Sequence, residues 1–282
     1  MIKHITPDLR KNKTKQWLPA DSEERYKEHQ ADGTINYTRD EFDYKFNSDG
    51  FRCDNFTEHS DLPILFLGCS YTQGVGLPIE TTWPKLILNK IRQLHPDKNI
   101  PHWSLAIGGT GIDTMAFELA RRIDTLKPKY IFYHLGFYIR RDYCNEAYQI
   151  SHWAPTSADL DDPMSKLFTS DEFAIYQFYR SLTIIDLAAR LQNSKIFIFD
   201  TIDMPLHIIK QIFDDFPNIT YIRTKFPKGN LTPEYVKNEL TQEEFNHFKT
   251  RPTYARDNMH PGELWQFMLA KDVWNNIKKE FI

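Results

Sequence analysis

Four uninterrupted apolar residues, Ile64-Leu65-Phe66-Leu67, stand between Pro63 and Gly68 and are followed by Cys69-Ser70-Tyr71-Thr72-Gln73-Gly74-Val75-Gly76. A run this short and this apolar reads as a strand covered on both faces, and the glycines after it read as an abrupt loop. Ser70 falls two residues beyond the strand. In an α/β protein that position lies at the carboxyl edge of the sheet, where a small hydroxyl residue is exposed as a turn residue, a helix cap or a nucleophile.

The rest of the chain repeats the alternation. Thr82 is placed to cap a helix with Trp83, Leu86, Ile87, Ile91 and Leu94 on one face, and a second strand follows over 103–107, closed by Gly108-Gly109-Thr110-Gly111. Residues 112–126 read as a helix, 129–135 as the third strand and 176–191 as a helix with Phe178, Leu182, Ile185 and Ala189 at helical spacing. Further strands are expected at 195–199 and 219–222. A closing helix from Pro261 is expected to turn Phe267, Ala270, Trp274 and Ile277 inward. Strands alternating with helices predict an α/β three-layer sandwich, a parallel sheet with helices on both faces. Residues 137–172 read as an irregular loop. Residues 1–60 form a polar arm and lead-in, with a short strand near Phe42-Asp-Tyr-Lys-Phe46 and a turn at Asn47-Ser48-Asp49-Gly50, ahead of a domain over 61–282.

The chemistry comes into view near the other end, at Asp257-Asn258-Met259-His260-Pro261-Gly262. An Asp and a His three apart across a turn put a carboxylate beside one imidazole nitrogen and leave the other facing outward, the arrangement that activates a serine. Taken singly, Asp257 serves equally as an acceptor for turn N–H groups and His260 as a helix-entry residue. The order of a serine after the first strand, glycines after the second and Asp-x-x-His before the last helix is what one mechanism requires.

Gly68, Ser70, Thr72 and Gly74 resemble the first block of the SGNH (GDSL-type) hydrolase family, with Cys69 in place of the usual Asp, and Asp257-x-x-His260-Pro261 resembles its last block. Asn47-Ser-x-Gly-Phe-Arg52 resembles a lead-in found in some of its members. The resemblance implies a flavodoxin-like five-stranded sheet and an esterase without cofactor. Ser70 would be the nucleophile, His260 the base and Asp257 its orienter. The oxyanion would be held by the N–H groups of Ser70 and Gly109, or of Gly108 if the loop is shifted by one. The family's third block carries an Asn where this chain has Gly136-Phe137-Tyr138-Ile139. Tyr138 is the candidate replacement donor; Arg140 and Arg141 are alternatives, and all three equally suit pocket lining. Phe137, Tyr138, Arg140, Arg141 and Trp153 are expected to bind substrate. With Tyr143, the aromatic ones suggest a carbohydrate O-acetyl ester, with a small-molecule ester as the broader class. A fold that has lost turnover and an O-acyltransferase are the alternative readings.

Other classes are disfavoured by what the chain contains. Lys and Arg total 35 against 38 Asp and Glu, a balance that argues against nucleic-acid or membrane partners. The three cysteines, Cys53, Cys69 and Cys144, lack metal-ligand spacing, the ten histidines show no paired spacing, and no metal site is expected. Cys69 reads as a packed neutral thiol. Thr72 breaks the Gly-x-Ser-x-Gly of α/β-hydrolases, and the glycines at 108–111 make no dinucleotide fingerprint. No signal-peptide pattern or membrane-spanning run is found, and the expected location is cytoplasmic.

Overall fold

The computed structural model describes residues 3–33, 42–136, 140–144, 149–153, 170–200, 211–224, 233–248 and 254–282. In chain order the strands are β1 (Lys3–His4), β2 (Thr14–Lys15), β3 (Tyr44–Lys45), β4 (Ile64–Leu67), β5 (Trp103–Ser104), β6 (Tyr130–His134), β7 (Arg141–Cys144), β8 (Gln149–Trp153), β9 (Lys195–Asp200) and β10 (Ile219–Arg223). The helices are α1 (Ile5–Asp8), α2 (Glu23–Ala31), α3 (Ser70–Gln73), α4 (Trp83–Leu94), α5 (Ile112–Leu126), α6 (Asp171–Leu191), α7 (Pro233–Glu239), α8 (Gln242–Phe248) and α9 (Glu263–Ile277).

The central sheet has the order β10-β9-β6-β4-β5 with every pair parallel. Counted along the chain this is 2-1-3-4-5, the flavodoxin-like order, whose switch point lies beside the first strand. Because successive side chains of a strand point to opposite faces, the apolar runs split into two cores. Leu65, Leu67, Ile131, Tyr133, Ile196 and Ile198 meet α5 and α6. Ile64, Phe66, Phe132, Phe197 and Phe199 meet α4 and α9 on the other side. Across this second face Phe66, Phe132 and Phe197 stack in neighbouring strands, with ring centroids 5.5 and 5.2 Å apart. Such a ladder fixes strand register as well as burying area.

The expected second strand is shorter, ending at Ser104, yet its pairing with β4 continues: Leu105 N–H reaches Phe66 O and Ile107 N–H reaches Gly68 O. Residues 137–172 are not simply a loop. β7 and β8 form an antiparallel hairpin, β1 adds in parallel to β8, and α6 begins five residues before the expected start, at Asp171 behind the cap Ser170. The closing helix begins at Glu263, with Gly262 as its cap, and Pro261 pairs instead with Tyr254. Its buried face runs through Trp265, Leu269, Val273 and Ile277, so Phe267 and Trp274 are only half-buried.

The arm is packed where it is described. β2 pairs antiparallel with β3, Leu18, Tyr44 and Phe46 close on Val75, and α2 starts behind the capping Ser22. Among the described residues no helix is long and apolar enough to cross a membrane.

Candidate active site

β4 ends at Leu67 and the chain turns at Gly68, where φ is +155° and a Cβ would lie 2.0 Å from Thr72 Oγ1. Only glycine lets the strand fold back so tightly onto the helix it feeds. The short helix α3 then starts at Ser70, which is 5% exposed, and ends at Gly74 in the left-handed conformation. Arg52, from the lead-in, closes that end: its guanidinium donates to the carbonyls of Gln73 (3.1 Å), Gly74 (2.6 Å) and Leu77 (2.8 Å). Burial lowers the pKa of Arg52 to about 10, well above neutrality, so the side chain holds these carbonyls as a cation.

Three segments meet this loop. Gly108 lies against Ser70, a Cβ there falling 3.6 Å from Ser70 Cβ, and its N–H donates to Gln73 Oε1 at 3.1 Å. Gly136, at the end of β6, approaches Cys69 and the carbonyl of Thr110. The third segment carries Asp257 and His260. It is closed on itself by Ala255 N–H to His260 O and Asn258 N–H to Ala255 O, with Asn258 in the left-handed region at φ +53°. Arg256 N–H donates to Gly76 O at 2.9 Å, and a Cβ on Gly76 would stand 3.2 Å from Asp257 Oδ1. The end of the Ser70 loop and the Asp257 turn are therefore in direct contact.

Asp257 is fully buried. Its Oδ1 accepts from the N–H groups of His260 (3.0 Å) and Met259 (3.2 Å), and its Oδ2 is hydrogen-bonded to His260 Nδ1. Burial raises the pKa of this carboxyl, but the hydrogen bond and charge of His260 and the two N–H groups outweigh it and hold it below the ordinary value. A carboxylate at Nδ1 assigns the proton to that nitrogen and leaves Nε2 as an acceptor. The imidazole is 14% exposed.

Tyr71 supplies the wall between these groups. Its ring stands edge-on to His260 with centroids 5.7 Å apart, edge-on to Trp265 at 5.4 Å and stacked on His134 at 5.9 Å. Gln266 ties α9 to the same residue: Nε2 donates to Tyr71 O (3.2 Å) while Oε1 accepts from Trp83 N–H (2.9 Å). Burial pushes the Tyr71 phenol up, Cys69 adds to the rise and the charge of Arg140 opposes it.

The structure thus gathers Ser70, Gly108, Gly136, Asp257 and His260 around one loop, and the carbonyl of Arg140 lies against Gly111. No hydrogen bond joins Ser70 Oγ to His260. Gly108, the alternative oxyanion donor, has its N–H occupied by Gln73. Neither Ser70 nor Gly109 N–H is hydrogen-bonded among the described residues. Phe137 and Tyr138 lie outside the described residues, as do the side chains of Arg141, Tyr143 and Trp153. Among the described residues no three His, Cys, Asp or Glu side chains cluster as metal ligands. Sequence reasoning missed Tyr71, Gln73 and Gln266. Gln73 was the findable one, a polar residue inside an otherwise small-residue loop.

No protein-family model matches the chain, and no curated protein matches it. Among solved structures it is similar to the psychrotrophic esterase EstA from Pseudoalteromonas sp., at 16% identity over 77% of this chain and 96% of that one, with a TM-score of 0.45. It is similar to the acetylxylan esterase Axe2 from Geobacillus stearothermophilus, at 15% identity over 79% and 97%, with a TM-score of 0.46. A third is a two-domain esterase, CEX, active on acetylated mannans, at 14% identity over 78% and 50%, with a TM-score of 0.47. At these identities and scores none of them decides the chemistry of this chain, which is read from its own residues.

Proposed function

We propose that the protein is an SGNH-type serine hydrolase that cleaves an acyl ester through an acyl-enzyme on Ser70. The observation that carries this reading is the buried Asp257 bonded to His260 Nδ1 in a turn that touches the Ser70 loop. In the proposed sequence His260 Nε2 takes the Ser70 proton as Oγ attacks the ester carbonyl. The N–H groups of Ser70 and Gly109 receive the oxyanion. The imidazolium returns its proton to the leaving alkoxide, and water, activated by the same nitrogen, releases the acid. Asp257 stays ionised throughout and holds the ring in one tautomer. Gln73 keeps Gly108 turned away, which fits Gly109 as the second donor.

The test is hydrolysis of p-nitrophenyl acetate by the native protein beside Ser70→Ala and His260→Ala, with fluorophosphonate labelling of Ser70 in parallel. Turnover and labelling by the native protein alone are expected. Equal rates in all three proteins, with no label on Ser70, sink the reading and leave a fold without turnover. Acyl transfer to an added sugar in preference to water would make it a transferase of the same serine.

A further inference from the structure

The catalytic turn is held from outside the sheet by the amino-terminal arm. Arg256, one peptide bond from Asp257, is fully buried, and its guanidinium lies between the rings of Trp17 (4.2 Å from the centroid) and Phe42 (4.0 Å). Nε donates to both carboxylate oxygens of Asp21 at 3.1 Å, and Nη2 donates to Asp21 Oδ2 at 2.6 Å and to Gln16 O at 2.7 Å. Asp21 is 1% exposed and also accepts from the Tyr44 hydroxyl at 2.5 Å. That hydroxyl in turn accepts from Gly76 N–H at 2.7 Å. Arg52, the cation that closes the Ser70 helix, lies over the Tyr44 ring at 4.5 Å. A continuous path of charged and hydrogen-bonded groups therefore runs from the end of the Ser70 loop, through Tyr44 and Asp21, to the residue beside Asp257.

Two features make this more than packing. A guanidinium paired side-on with a carboxylate fixes direction as well as distance, because both groups are planar and their bonds are parallel. And the path joins two segments nearly two hundred positions apart, whose relative placement sets where Ser70 stands from His260. A backbone hydrogen bond, Arg256 N–H to Gly76 O, ties the same two segments directly.

We infer that Asp21 and Tyr44 are positioning residues for the proposed hydrolase, setting the Asp257–His260 turn against the Ser70 loop through Arg256 and Gly76. The inference rests on the ester-hydrolase reading for its kinetic consequence and on the geometry alone for its structural one.

Both consequences are measurable on the full chain. Displacements of about 1 Å at reacting groups cost up to about 100-fold in rate. Tyr44→Phe, which deletes only the shared hydroxyl, is expected to lower kcat for p-nitrophenyl acetate by about 10-fold, and Asp21→Asn by about 100-fold, with KM within about twofold of native. Asp21→Glu, which keeps the charge, is expected to recover part of the loss. In proton NMR the far-downfield resonance of the His260 Nδ1–H to Asp257 bond is expected in the native protein and broadened or lost in both variants. Native kcat together with a native resonance in folded Tyr44→Phe and Asp21→Asn overturns the inference. If Asp21→Asn does not fold, Tyr44→Phe decides alone. If the native protein turns over no ester, or Ser70→Ala turns it over equally, the hydrolase reading falls. The resonance then decides the positioning role, its loss in Tyr44→Phe supporting it and its persistence ending it.

Discussion

His102 sits at the amino end of β5, its ring centroid 5.7 Å from that of Phe66 in β4, and is 3% exposed. Its backbone exchanges two hydrogen bonds with Asp54, N–H to Oδ2 at 2.8 Å and carbonyl from Asp54 N–H at 3.0 Å, but neither ring nitrogen has a partner among the described residues. Burial drives its pKa down to about 3, with Lys85, Arg92 and Arg52 adding to the fall. The unfolded chain takes up the proton near pH 6.5 and the folded one does not, so the stability this group contributes is full above pH 6.5. It is lost progressively as pH falls towards 3. Linkage puts the loss at about 0.2 kcal/mol at pH 7 and about 2 kcal/mol at pH 5, and the second figure hardly changes if the folded value is 4 instead of 3. His102→Leu keeps both backbone bonds and removes the ring. Asp200, pushed up to about 6 by burial, acts in the opposite sense because the fold protonates it first, so the two proteins must be compared at each pH, where Asp200 cancels. Urea denaturation at pH 7 and pH 5 is expected to show the variant gaining about 2 kcal/mol on the native protein between the two. An unchanged difference would mean that His102 is charged in the fold, and the reasoning would fail. Esterase activity at pH 7 is expected to be unaltered.

Two further predictions concern the site. In Gly76→Ala the new methyl would stand 2.7 Å from Ala255 Cβ and 3.2 Å from Asp257 Oδ1 at a φ of +77°, so melting temperature is expected to drop by an amount worth about 1 to 3 kcal/mol and kcat to fall with it; native values of both would refute the contact. Asp257→Asn is expected to lower kcat by roughly 10³ to 10⁴ at neutral pH, since an amide no longer selects the Nδ1–H tautomer. Because the Asp257 pKa is held below the ordinary carboxyl value, its contribution to stability is complete above about pH 4 and is lost only as pH falls below that value, so the stability difference between native and variant should be constant above about pH 4 and shrink on further acidification.

What the sequence made legible follows from how each element is buried. β4, β6 and β9 are covered on both faces and read as apolar runs that need no periodicity to be seen, and their ends were placed to within one residue. The hairpin of β7 and β8 was missed because Arg-Asp-Tyr-Cys carries no alternation, and its third strand, Lys3–His4, lies about 145 residues away. Of the inward face expected for α9, Ala270 and Ile277 are buried while Phe267 and Trp274 are half-buried; the buried stripe also takes in the polar Glu263, Gln266 and Asp272, which a pattern of apolar residues alone does not count. Ser70, Asp257 and His260 could be singled out as candidates because each sits in a short local pattern. Asp21 and Arg256 are 235 positions apart, and no local pattern announces a partner at that distance.

The energetics of that last pair bear on what it is for. Burying a carboxylate and a guanidinium costs several kcal/mol for each ion in desolvation, and the attraction between them roughly returns it, so apolar residues of the same volume would hold the arm down at least as well. An apolar contact, however, tolerates sliding, whereas the side-on pair of Asp21 and Arg256 has one geometry in which its bonds are made. The Tyr44 hydroxyl extends that geometry to Gly76, which also carries the backbone bond to Arg256. Stability alone would not require a charged link at this point; under the proposed hydrolase reading, a turn whose imidazole has to meet a serine on another loop does require a link that resists displacement.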